Sequence, residues 1–160
     1  LLEKGYFASG CFWGPEYFFM TANGLKQTNV GFMGGHVDNP TYEQVCQKNT
    51  GHLELTEVIY DPTVTTYEEM VKLFFETHNF TQKNGQGPDI GPQYFSCIFY
   101  SNEKEKEIAT KYSSMLTDKG YNVATKRKPA SAFWKAERYH QQYYAGKGMT
   151  PYCHKYTKVF

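Results

Sequence analysis

His52-Leu53-Glu54-Leu55-Thr56-Glu57-Val58-Ile59-Tyr60, closed by Asp61-Pro62 and followed by Thr66-Tyr67-Glu68-Glu69, is the stretch from which the fold is read. Its first half alternates, with Leu53 and Leu55 set against His52, Glu54 and Thr56, which is the two-residue period of a strand with one face in the core. Asp61-Pro62 ends the strand. Thr66 and Glu69 then have the form of a capping box, and Tyr67, Met70, Val71 and Phe74 recur at helical spacing. A helix is therefore predicted from there to about residue 77.

Working upstream, residues 3–8 suit a short strand that Gly5 weakens and that runs into Gly10. Residues 14–22 are rich in large apolar side chains and suit a helix ended by Gly24, and residues 27–32 are the next strand, closed by Gly34-Gly35. Downstream, residues 81–92 hold three Gly and two Pro and read as loop. Residues 94–100 have strand composition. Ile108, Tyr112, Met115 and Leu116 mark one face of a helix over residues 102–119, stopped by Gly120. A short strand near 121–124 and a mainly irregular, Tyr-rich C-terminal third complete the chain. The order strand, helix, strand, strand, helix, strand is that of a split βαβ unit. The predicted class is α+β: a two-layer α/β sandwich with a ferredoxin-like core ending near Tyr100, helices on one sheet face, and an irregular C-terminal extension packed around it.

At 160 residues the chain is long enough for one cored domain, expected over 1–160, and short for two. It begins without Met, as a processed form or a domain excised from a longer polypeptide would. With 17 basic and 16 acidic residues the formal charge is +1, so no field draws nucleic acid or an anionic membrane. No apolar run approaches the roughly 20 residues of a membrane span, and the start lacks a secretory segment. Cys11, Cys46, Cys97 and Cys153 are far apart with no C-x-x-C pair, against a thioredoxin-type motif and a zinc ribbon. Free thiols in a reducing, cytoplasmic compartment are expected, with no metal. Asn79-Phe80-Thr81 fits a glycosylation sequon, which implies nothing without secretion. Aromatic residues make up 18%, with 14 Tyr and 12 Phe, more hydroxyl-bearing rings than a core alone calls for. Some are expected to line a pocket.

Cys11, in Gly10-Cys11-Phe12-Trp13-Gly14, falls between a strand end and the first turn of a predicted helix. Unpaired N–H groups and the helix dipole there favour an anion and lower a thiol's pKa. Phe12 and Trp13 suggest an apolar pocket beside the sulfur. A free cysteine is also often a small buried hydrophobe. On local context both readings of Cys11 stay open.

The ordered series Gly10-Cys11-Phe12-Trp13-Gly14, Gly34-Gly35, Asn39-Pro40-Thr41-Tyr42, Val45-Cys46, Thr50-Gly51-His52 with Glu54, Tyr60-Asp61-Pro62, Gly85-Gln86-Gly87-Pro88-Asp89-Ile90-Gly91, Gln93-Tyr94, Ala136-Glu137 and Tyr139-His140-Gln141 resembles the methionine sulfoxide reductase A family over nearly the whole chain. The resemblance implies that Cys11 attacks the sulfoxide sulfur and becomes a sulfenic acid. It implies that Glu54 is the acid and that Tyr42 and Tyr94 hydrogen-bond the sulfoxide oxygen. Phe12 and Trp13 would enclose the S-methyl group, and Asp89 would accept from the substrate backbone N–H. Such a pocket accepts the S epimer, in proteins or as the free amino acid. Cys153, in Pro151-Tyr152-Cys153, looks like the recycling thiol, whereas Cys46 and the mid-strand Cys97 look structural. The external dithiol would be thioredoxin or dithiothreitol, with no other cofactor, and the chain is expected to act as a monomer.

Two features depart from the family pattern. Phe95 stands where an Arg usually follows Gln93-Tyr94, and the tail carries His154-Lys155-Tyr156 after Cys153 without a further cysteine. Glu54 could instead be a solvated strand carboxylate like Glu57, and Trp134 is a lesser pocket candidate more easily read as core. Two other functions stand beside the reductase. One is a non-catalytic module binding methionine or its sulfoxide; the other is a cysteine hydrolase using Cys11 and His140.

Overall fold

The computed structural model describes residues 2–9, 19, 24–35, 40–41, 44–45, 51–78, 80–82, 85–86, 89–90 and 94–136. Among them, a six-stranded sheet is built from β1 (Glu3–Ser9), β2 (Leu25–Met33), β3 (Leu53–Tyr60), β6 (Ser96–Tyr100), β7 (Lys126–Pro129) and β8 (Trp134–Lys135) in the order β7-β6-β1-β3-β2-β8. A separate ribbon pairs β4 (Gly85–Gln86) with β5 (Asp89–Ile90). Two helices lie wholly within the described residues, α1 (Tyr67–Glu76) and α2 (Glu103–Asp118). The class is α+β with a mixed sheet: every neighbouring pair is antiparallel except β6 with β7.

Both helices form where their caps dictate. Thr66 Oγ1 accepts the Glu69 N–H at 3.2 Å to open α1, and Asn102 Oδ1 accepts the Glu105 N–H at 2.9 Å to open α2. The predicted apolar stripes then bury. Tyr67, Met70, Val71 and Phe74 from α1 join Ala109, Tyr112 and Leu116 from α2 in one cluster with Phe7, Val58, Tyr60 and Ile98 of the sheet. Phe7 is its hub, with ring centroids 5.4 Å from Phe19, 5.7 Å from Tyr67 and 5.5 Å from Phe74. Both helices thus cover one face, as expected. The opposite face buries Ala8, Met33, Leu53, Leu55, Cys97 and Phe99, packed by Tyr6, Phe95, Ala130 and Phe133.

Several expectations need correction. The strand expected near 121–124 instead runs over Lys126–Pro129. Ala124 N–H is held by the Phe80 carbonyl at 2.7 Å, so pairing with β6 begins only at Lys126 opposite Cys97. All four residues of β7 are exposed, and an edge strand of this kind has no apolar period to read. The stretch 81–92 carries the β4–β5 ribbon rather than loop alone, because backbone pairing leaves no mark on a Gly-rich composition. Glu57 is not solvated: it is 6% exposed and accepts the Asn29 Nδ2 hydrogen at 2.9 Å. Among the described residues no helix is long and apolar enough to cross a membrane.

Candidate active site

Alternation along β3 sorts its side chains as the sequence predicted. Leu53 and Leu55 enter the cluster on the face away from the helices, and Val58 and Tyr60 that on the helix face. Glu54 and Thr56 share the latter face, and Glu54 is fully buried at 0% exposure. Glu54 lies opposite Phe32 on β2, and Phe32 lies opposite Trp134 on β8, so Trp134, Phe32 and Glu54 make one row across three strands. Phe32 belongs to an apolar cluster with Val30, Val45 and Ala136, against which Trp134 packs, so Glu54 has an apolar wall on its β2 side. Trp134 is half-buried in that wall.

The register then fixes what stands near this end of the sheet. Phe7 pairs with Thr56, so Ser9 and Glu54, each two residues further toward the same end, occupy one face. Ser9 also pairs with Ser96 at the start of β6. Cys11 follows Ser9 by two residues in sequence, and Tyr94 precedes Ser96 by two. Because β1 and β6 are antiparallel, β1 leaves the sheet where β6 enters it. Glu54 and the half-buried Tyr94 are thereby brought to the end of the sheet from which the chain proceeds to residue 11.

The turn into β3 is held from both sides. Gly51 has φ +75° and Gly34 has φ +89°, left-handed values that a side chain would strain. Between them Gly35 N–H donates to His52 Nδ1 at 3.1 Å, which fixes the buried imidazole immediately before Glu54's strand. At position 41, the Thr41 N–H donates to Gln44 Oε1 at 2.9 Å and the Gln44 N–H to Thr41 Oγ1 at 3.2 Å, opening the helical turn that carries the buried Val45. Asp89 is placed only as a backbone position in β5, opposite Gln86. Cys11, Phe12, Trp13, Tyr42 and Cys153 lie outside the described residues, as do Cys46 and His140.

Cys97 is the buried core cysteine its mid-strand position predicted. It is 0% exposed, and burial pushes its thiol up to about 12 against the weaker pull of Lys128 and Lys126. A thiol held protonated in a core strand is not available for exchange. Where the family pattern has an Arg, the ring of Phe95 lies under the Lys126 ammonium, 5.3 Å from its centroid. A cation therefore does stand at this position, supplied from β7.

Sequence reasoning missed a polar chain beneath this end of the sheet: Thr125, Ser96 and His78, buried and hydrogen-bonded in series. The signal that could have found Ser96 is alternation, since it shares the face of the apolar Ile98.

Residues 3–159 match the family model described as peptide methionine sulfoxide reductase. The chain is similar to the peptide methionine sulfoxide reductase MsrA of Methanosarcina acetivorans, 47% identical over 150 residues that cover 92% of this chain and 80% of that protein. The MsrA of Geobacter metallireducens is 45% identical, covering 92% of this chain and 93% of its own length. Among solved structures, reduced Mxr1 of Saccharomyces cerevisiae superposes with a TM-score of 0.90 at 30% identity, covering 98% of this chain and 93% of that one. The methionine sulfoxide reductase A of Corynebacterium diphtheriae gives 0.83 at 35% identity, covering 99% and 81%. With a family model matched over almost its full length, the chain belongs to the peptide methionine sulfoxide reductase family.

Proposed function

We propose that the chain reduces methionine-(S)-sulfoxide, in proteins and as the free amino acid, through Cys11. The observation that carries the assignment of roles is Glu54: a carboxyl at 0% exposure, beside an apolar wall, at the sheet end from which β1 leads to Cys11. Removal from water favours the protonated form of a carboxyl, the form a proton donor needs. Thiolate attack on the sulfoxide sulfur places charge on its oxygen, and a positioned acid removes that obstacle. The Glu54 proton passes to the oxygen while Tyr42 and Tyr94 hydrogen-bond it. The methionine S–O bond then breaks as the oxygen passes to Cys11, leaving methionine and a Cys11 sulfenic acid. Phe12 and Trp13 hold the methyl group and Asp89 the substrate N–H.

Cys153 then attacks the sulfenic sulfur, water leaves, and the resulting disulfide is reduced by an external dithiol. The buried Cys97 is a poor alternative, since its thiol stays protonated. Mxr1 has been solved in complex with Trx2, and thioredoxin is the dithiol proposed here. The electrons come from thiols throughout, so the reading calls for no metal or organic cofactor. It takes the chain as one domain over 1–160, acting as a monomer in a reducing, cytoplasmic compartment. A ferredoxin-like split βαβ core in a two-layer sandwich is supported by the antiparallel neighbour order β6-β1-β3-β2, with both helices on one face.

The test uses the two separated sulfoxide epimers with dithiothreitol, following methionine by chromatography. Only the S epimer should be consumed. Cys11→Ser should release no methionine, and Cys153→Ser about one equivalent before stopping, as a single unresolved sulfenic acid requires. Normal thioredoxin-driven turnover by Cys153→Ser would remove Cys153 from the cycle.

A further inference from the structure

At the far end of β3 from Glu54, roughly 20 Å along the strand, a cavity of about 740 Å³ opens between the start of β1, the end of β3 and the first turns of α1 and α2. That volume is in the range of small-molecule pockets. Two observations on its wall are independent of each other.

The first is a buried hydroxyl without a partner. Tyr67 is 6% exposed, and among the described residues its hydroxyl has no hydrogen-bond partner. Tyr67 lines the cavity together with Glu105 and Tyr60, whose charges are the ones that act on this hydroxyl after burial. A buried hydroxyl left unmet is costly and points to a missing group.

The second is a carboxyl on the wall that makes no ion pair among the described residues. Glu105 is half-buried, and its carboxyl is held above the usual range first by burial and then by Glu3, against the Ser101 N–H that it accepts at 2.8 Å. Glu3 is tied into the same wall by the Tyr60 hydroxyl, which donates to it at 3.0 Å. Lys4 and Lys104 border the cavity with exposed side chains, and the ion pair found among the described residues, Lys72 with Glu69, lies outside it.

The two helix N-termini at this cavity would ordinarily favour an anion. Here the chain has filled both: Thr66 and Asn102 cap them, and Glu68, Glu69, Glu103 and Glu105 occupy their first turns. Three carboxylates, of Glu3, Glu68 and Glu105, line the cavity against the two ammonium groups of Lys4 and Lys104. The carboxylates do not form a metal site, since no ligand cluster of three or more His, Cys, Asp or Glu occurs among the described residues. Tyrosine rings on the wall suit an organic cation, whose charge their faces attract.

We propose that this cavity is a second ligand site, separate from the reductase site, that takes an alkylammonium group. Its N–H hydrogens go to the Glu105 and Glu3 carboxylates and the Tyr67 hydroxyl oxygen, and its stem lies along the tyrosine rings. The group can arrive as a lysine side chain of a protein or on a free amine.

Calorimetric titration of the full chain with n-butylammonium chloride at low salt tests this. Saturable one-site binding is expected, with none for sodium propionate. Glu105→Gln should weaken it about tenfold or more, as loss of a charge-assisted hydrogen bond does, and Tyr67→Phe should weaken it about threefold. Tyr67→Phe removes a hydroxyl that bonds to nothing in the described fold, so it decides the matter even if Glu105→Gln fails to fold. Tighter binding of Nα-acetyl-lysine amide than of 1,5-diaminopentane supports a protein side chain as the source, and the reverse supports a free amine. Both variants should keep sulfoxide turnover. The proposal is overturned if n-butylammonium does not saturate up to roughly 100 mM, an affinity of no consequence. Equal binding of propionate, unaltered binding in both folded variants, or a parallel loss of turnover would also overturn it.

Discussion

The Nε2 of His78 lies 2.8 Å from the Oγ of Ser96, joining the segment after α1 to the strand that pairs with Ser9. The other ring nitrogen, Nδ1, stands 2.6 Å from the Phe74 carbonyl oxygen, which can only accept. Nδ1 therefore carries a hydrogen, and in a neutral ring Nε2 receives the Ser96 hydroxyl, which is free to accept from Thr125 at 2.7 Å. The series braces α1, β6 and the chain before β7 under the end of the sheet that carries Glu54.

His78→Ala should leave buried hydroxyls unmet and cost about 1–3 kcal/mol in urea unfolding. Ser96→Ala interrupts the same series. The double variant should therefore lose less than the sum of the two singles, as members of one hydrogen-bond network do. Additive losses would mean that the contacts act independently.

Glu54→Gln keeps the shape of the side chain and removes its acidity. Turnover with methionine sulfoxide should fall roughly 10²-fold or more, the range for loss of a general acid, with a smaller change in KM. Circular dichroism should be unchanged, since the Phe32 and Trp134 row that flanks the site is apolar. A variant with normal kcat would place the proton donor elsewhere.

Cys97 should resist iodoacetamide at pH 8 in the native protein and react on unfolding. Its native thiol is raised from 9.0 to about 12 by burial. Between those values only the unfolded thiol loses its proton, so deprotonation favours the unfolded state. The contribution of Cys97 to stability is therefore complete below about pH 9 and declines as pH rises toward 12. Comparing urea unfolding of wild type and Cys97→Ala across that window should show this decline in the wild type alone. Cys97→Ser should leave thioredoxin-driven recycling intact.

Gly31→Ala tests the β2–β8 edge. A Cβ at this position would stand 2.3 Å from the Trp134 carbonyl oxygen and 2.8 Å from the Phe133 ring. The backbone of β8 must move, and the cost should be about 1–3 kcal/mol or more. A red shift in tryptophan emission would report the release of Trp134 from the Val30, Phe32 and Val45 cluster.

Alternation in residues 53–60 and the helical spacing of Tyr67, Met70, Val71 and Phe74 determined, without any structure, a strand with Glu54 on the face opposite Leu53 and Leu55 and the helix that follows it; that the helices cover the Glu54 face came from the packing. Both patterns are local: period and capping depend on neighbours a few residues away. The ordered motifs likewise identified the family, because each is a short run that can be read along the chain. The tertiary structure decided what depends on distant partners. Glu54 is fully buried in a sheet whose next strand sets Phe32 opposite it, the exposed β7 takes its place from pairing with β6, and the cation over Phe95 comes from Lys126. Glu57 looked like a surface carboxylate until Asn29, on the neighbouring strand, met it. A strand's period says which way a side chain turns, but only the packed neighbours determine whether water or protein lies there.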